Sequence, residues 1–222
     1  MTRLLALMPL LVLSGCSGLL HSSAPLEQVY FLRAKPAGAA AAVKAGSVHV
    51  ARPIAAPGLD SSHIVLEESD RRMSYYTASR WPAPVPAMVE ELAAQVLRAS
   101  GAWSDVQSSE SSFPSDYLLQ IRIRRFAADY TSSAGRSAAA PEVHVALDCT
   151  FGRRSGREVI ATFAAEGSAV AAANRLSDVV AAFEVAANVA LAAVATQAAD
   201  AAATPDREPP QKVDKPVASI SR

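Results

Sequence analysis

Histidine, cysteine, arginine and clustered aromatic residues are the groups through which this sequence could do chemistry. The four histidines, His21, His49, His63 and His144, are dispersed, and no His-x-x-x-His pair or paired cysteines occur. Zinc sites draw on clustered imidazole and thiolate, and calcium sites on an acidic loop. No metal ligands are therefore assigned. Nor is there a Gly-x-Ser-x-Gly elbow or a glycine-rich phosphate loop. No catalytic residue is assigned, and the chain is read as non-enzymatic. Cys149 alternates in phase with Val145, Leu147 and Phe151, which assigns it to a buried strand face. Arg122, Arg124 and Arg125, with Arg153, Arg154 and Arg157, have two readings. They either gather at one sheet end to meet lipid phosphates or line a solvated strand face, and the second is preferred.

The segment from Arg71 to Pro86 is different, because it holds Tyr75, Tyr76, Arg80 and Trp81 together with three prolines. Large flat rings and guanidinium groups concentrate at interface hot spots. These four residues are a candidate partner-binding cluster, with a packed corner as the competing reading. On an extended strand Tyr75 and Tyr76 face opposite sides, so one can enter the core while the other stays accessible. Trp81, just before Pro82, is expected to anchor a strand-to-helix corner.

The amino-terminal stretch sets the compartment. Met1-Thr2-Arg3 is a short basic start, and Leu4 to Leu13 is apolar apart from Pro9. Leu13-Ser14-Gly15-Cys16 follows. This is the pattern of a secretory signal peptide over residues 1–15, too short for a span of about 20 apolar residues. Leu-Ser-Gly-Cys resembles the lipobox of bacterial lipoproteins. That resemblance implies cleavage before Cys16 and acylation of Cys16, the only non-protein group expected. Ser17, rather than Asp, implies the periplasmic face of the outer membrane. Residues 16–28 then form a lipidated tether. More than one acyl chain, at roughly 0.8 kcal/mol per buried methylene, gives stable anchoring.

Charge argues against nucleic acid as a partner. The chain has 21 basic and 21 acidic residues, and loss of Arg3 with the signal leaves 20 against 21. With Cys16 lipidated, Cys149 has no partner for an internal disulfide.

Strand patterns are expected at Val29–Leu32, Ser47–Arg52, Ile64–Leu66 and Met73–Ser79, the last two forming a hairpin. A helix follows, with Pro84 and Pro86 in its first turn. Glu90 and Glu91 lie near its positive end, Val89, Leu92, Ala93 and Val96 form its apolar face, and Gly101 terminates it. Tyr117–Ala127, Val143–Phe151 and Val159–Ala165 read as an antiparallel meander with one covered face. Ser177–Ala199 is a second helix capped by Ser177 or Asp178. Residues 29–199 are thus one α/β domain (α+β, two layers): a mixed, mostly antiparallel sheet carrying two helices. Residues 200–222 read as a disordered tail.

The lipobox, Tyr30-Phe31-Leu32, Leu59-Asp60-Ser61-Ser62-His63-Ile64-Val65-Leu66 and Tyr75-Tyr76-Thr77-Ala78-Ser79-Arg80-Trp81-Pro82 occur in that order. Leu119–Phe126 and Ala181–Ala186 follow. Together they resemble the ABC-type transport auxiliary lipoprotein family, which includes the paraquat-inducible C lipoprotein. The resemblance implies a fold similar to the amino-terminal domain of the Tol-system β-propeller protein. It also implies an accessory role beside an MCE-type lipid transport system, with the periplasmic MCE protein as partner. A homo-oligomer is a further possibility. Two other functions stand beside this one: an independent lipid-binding envelope lipoprotein, and a periplasmic hydrolase, for which no triad is present.

Overall fold

A computed structural model describes residues 26–35, 45–131 and 139–204. The expected signal peptide, Cys16 and most of the tether lie outside the described residues; of the expected disordered tail, residues 200–203 are helical instead, and those from 205 onward lie outside the described residues. In chain order the strands are β1 (Gln28–Val29), β2 (Val48–Val50), β3 (Ile54–Ala55), β4 (His63–Glu67) and β5 (Met73–Arg80). Helix α1 (Val85–Ser100) precedes β6 (Val106–Gln107), β7 (Tyr117–Asp129), β8 (Glu142–Arg153) and β9 (Glu158–Val170), and α2 (Leu176–Ala203) comes last.

Alternation in β7 sets the frame. Leu119, Ile121 and Ile123 are buried, while Gln120, Arg122 and Arg124 are exposed. Antiparallel pairing with β8 places Leu119 opposite Phe151, Ile121 opposite Cys149 and Ile123 opposite Leu147. A register shift between Ile123 and Arg125 then resets the phase, so Phe126 and Ala128 are still buried beyond it. β9 continues the meander, with Phe163 against Cys149 and Ala165 against Leu147.

The other edge of β7 is shared by three short parallel strands. β2 meets its start (Val48 opposite Tyr117), β3 its middle (Ile54 opposite Arg122) and β4 its end (Leu66 opposite Ala128). Outside them lie β6 on β2, and β5 and β1 beside β4. The sheet is therefore mixed, with its longest pairings antiparallel. Of the expected Val29–Leu32 strand only Val29, with Gln28 before it, forms the strand paired with β5. Beyond Tyr30 the chain leaves the sheet because α2 captures it: Arg33 N–H donates to Glu184 Oε2 (2.9 Å) and Lys35 N–H to Asn188 Oδ1 (2.6 Å).

Both helices belong to the core. Pro84 precedes α1, Pro86 lies in its first turn, and Gly101 closes it in the left-handed conformation at φ 68°. Glu90, expected near the positive end of α1, lies beyond its first turn and is buried. Its Oε1 accepts the Ser109 N–H at 2.7 Å, a partner 19 residues away. Neither Ser177 nor Asp178 caps α2. The helix starts at Leu176, which packs on the core, after extended Arg175, and Asp178 pairs with Arg175 inside the first turn (2.7 Å).

α2 is long and apolar enough to resemble a membrane span, but Val179, Phe183, Ala186, Ala190 and Val194 are buried in the domain. Close approach to β9 depends on Gly167. A Cβ there would lie 2.1 Å from the Ala186 carbonyl oxygen and 2.9 Å from the Ala190 nitrogen.

Candidate functional site

The aromatic cluster grows out of the β4–β5 hairpin. Its turn is closed by Glu68 N–H to Arg72 O (2.9 Å), with Arg71 in the left-handed region at φ 65°. Arg72 pairs with Glu68 and Asp70, and its hydrogen bond holds the Asp70 carboxyl below the usual range. The two strands do not match residue for residue. His63 lies opposite Arg80 and Val65 opposite Tyr75, so β5 carries extra residues around Ala78, which has φ 49°.

This irregular arm separates the four expected residues. Tyr75 is exposed at 44% and lies against the His63 ring, with centroids 4.7 Å apart. Tyr76 is half-buried. Its hydroxyl is 2.8 Å from that of Tyr130, which donates to Asn174 Oδ1 at 2.6 Å. Burial, then the bond to Tyr130, raises the Tyr76 phenol well above its usual range, so it stays neutral. Arg80 is exposed on one side and donates from Nε to Glu27 Oε2 at 2.6 Å.

Trp81 is fully buried, edge-on to Phe126 (6.1 Å) and Phe183 (5.3 Å). The backbone N–H of Trp81 donates to Ser62 O and that of Val85 to Ser61 O, tying strand, corner and helix together. Trp81 is thus the anchor of the corner. Tyr75 and Arg80, with His63 and Glu27, form the accessible part of the cluster. Tyr130 and Asn174 hold Tyr76 from 54 residues and further along the chain, and neither has a local sequence signal.

The arginines divide between opposite ends of the β7–β8 pair, since Arg153 lies opposite Tyr117 and Arg125 opposite Ala146. The expected gathering of all six at one sheet end does not occur, because the length of β7 and β8 keeps the two groups apart. Arg124 bridges Asp148 (2.7 Å) and Glu166 (2.6 Å), and Arg125 pairs with Glu67 and Asp129. Arg153 meets Glu158 at 3.2 Å, and Arg154 donates to Ser115 Oγ at 3.3 Å. Burial lowers the His49 pKa, and the positive charge of Arg154 adds to this while Glu90 opposes it. His144 lies 3.8 Å from Asp129 and 3.7 Å from Glu142. Cys149 is buried, and burial pushes its thiol up to about 12. Among the described residues no three histidine, cysteine or carboxylate side chains come together as a metal site.

A domain made of an open sheet backed by two helices, with an accessible aromatic edge, is the frame for comparison with known proteins. The family described as the ABC-type transport auxiliary lipoprotein component matches residues 30–199, and the chain belongs to it. The crystal structure of protein XCC0632 from Xanthomonas campestris, of family DUF330, is similar at 26% identity and TM-score 0.67. The match covers 78% of this chain and 96% of that one. A crystal structure of an uncharacterized protein is similar in fold at 12% identity and TM-score 0.59, covering 79% and 98%. No curated protein matched the chain.

Proposed function

We propose that this protein is a non-enzymatic component of an ABC/MCE-type intermembrane lipid transport system. It is anchored through acylated Cys16 at the periplasmic face of the outer membrane and docks the periplasmic MCE protein. The family match over residues 30–199 carries this reading, because it gives the chain an accessory role beside an ABC transporter. The lipobox-like Leu13-Ser14-Gly15-Cys16 supports the anchor, and Ser17 supports the outer membrane.

The exposed strip of Tyr75, His63 and Arg80 supplies the docking chemistry: a flat ring pair beside a guanidinium. Trp81 supports the strip from the core without reaching the surface. A homo-oligomer is compatible with the long strand β9, which among the described residues pairs only with β8.

A photo-crosslinking residue in place of Tyr75, introduced in cells carrying the transport system, tests the docking face. It should capture the MCE protein, whereas the same group on exposed Glu91 of α1 should not. Equal capture from both positions would remove the assignment of this face.

A further inference from the structure

One face of the sheet is covered by α1 and α2, and the opposite face carries the polar residues of β7, β8 and β9. At the β8–β9 turn this second face contains a hollow of about 400 Å³. Gln120 and Thr150, side by side on β7 and β8, form part of its floor. Arg153, Arg154 and Arg157 stand around it with a single carboxylate, Glu158. Arg153 pairs with Glu158, while Arg154 and Arg157 add two guanidinium groups that meet no carboxylate among the described residues. The arginines at the far end of the same strands are balanced differently, because Arg124 and Arg125 each bridge two carboxylates.

The turn itself points the same way. Among the described residues Arg154 bonds only neutral Ser115 and backbone, and neither it nor Arg157 makes an ion pair. Arg157 has φ 56°, directly after Gly156 at φ 79°. A long side chain rarely adopts that conformation, and glycine would fit it without strain. The backbone of the turn gains nothing from an arginine at this position, which leaves the guanidinium free to act at the hollow. Apolar groups complete the hollow: Leu118 on the floor and Val159, 61% exposed, at the rim.

We propose that this hollow binds the phosphate of an anionic phospholipid headgroup. Guanidinium forks match phosphate oxygens in pairs, and the volume falls in the usual range for a small-ligand site. Leu118 and Val159 suit the glycerol and the first methylenes, which a free phosphate lacks. The acyl chains stay outside, because the space between sheet and helices is filled by Phe126, Phe151 and Phe183. The site rests on the reading of the protein as part of a lipid transport system, and it gives that system a point of headgroup contact.

The test is a titration of the full chain, purified in a neutral detergent, with short-chain phosphatidylglycerol, with inorganic phosphate and with short-chain diacylglycerol. Phosphatidylglycerol should saturate, weaken as salt is raised, and lose at least tenfold in affinity in Arg154→Gln/Arg157→Gln. Arg124→Gln should stay within twofold of the parent. Arg157→Gly guards against misfolding: it relieves the turn, so it should unfold no earlier than the parent yet bind more weakly. Unchanged affinity in Arg157→Gly and the double variant would overturn the site. Inorganic phosphate binding as tightly as the lipid would overturn the lipid assignment. Recovery of the MCE protein by the double variant reads the docking function separately, so failure of one leaves the other measurable.

Discussion

Replacing Gly167 with alanine should loosen the contact on which the covered face depends. The new Cβ would lie 2.1 Å from the Ala186 oxygen and 3.0 Å from its carbonyl carbon. Ordinary contact needs roughly 3.5 Å, so α2 must move from β9 by more than about 1 Å. The obstructing atoms are helix backbone, and no side-chain rotation can relieve them. Moving the helix also disturbs Phe183, which stacks on Phe126 at 5.2 Å and meets Trp81 edge-on. Overpacking of this kind costs about 3 kcal/mol. For a domain of this size that lowers the unfolding midpoint by about 6–12 °C. Thermal unfolding followed by circular dichroism measures it, with Ser168→Ala, exposed on the opposite face of β9, as the control within about 2 °C. A midpoint for Gly167→Ala indistinguishable from that control would refute the close packing of α2 on β9.

Cys149 should be silent to a thiol reagent at pH 8 in the folded protein and react fully in denaturant, because burial shields the thiol and pushes it up to about 12; rapid native labelling would contradict its burial. His49 gives a pH dependence of defined sign. Its folded pKa lies below 6.5, so as pH falls through 6.5 the unfolded chain takes up a proton that the folded protein resists. Stability should fall from pH 7.5 to pH 5.5, less steeply in His49→Gln, and equal slopes would exclude His49 as the cause. Tyr75→Ala and Arg80→Ala should each weaken association with the MCE protein about tenfold while moving the unfolding midpoint by less than about 2 °C, since Tyr75 is exposed and the Arg80–Glu27 pair is solvated. Large losses of midpoint in both would make the strip structural.

Local periodicity made much of the frame legible. Leu119, Ile121 and Ile123 against Gln120, Arg122 and Arg124 announced β7, and Val145 to Phe151 announced β8. Pro84, Pro86 and Gly101 marked the ends of α1. Partner choice was not legible. Nothing in Val48–Val50, Ile54–Ala55 or His63–Glu67 says that all three add in parallel to one edge of β7. The buried acceptor role of Glu90 depends on Ser109, and the fate of Tyr76 on Tyr130 and Asn174, all distant in sequence. The division of Tyr75 from Trp81 was half visible: alternation separated the tyrosines, but the extra residues around Ala78 carry no local signature. Separation of the two arginine groups follows from the length of β7 and β8, which alternation alone does not convey.

Affinity capture of the full-length protein from native membranes, solubilised in mild detergent and followed by mass spectrometry, bears most directly on the transport role. The expected result is the MCE protein in amounts comparable with the bait, reduced about tenfold in Tyr75→Ala/Arg80→Ala. A folded, acylated bait that repeatedly recovers no MCE protein from cells expressing the system would contradict the proposed function.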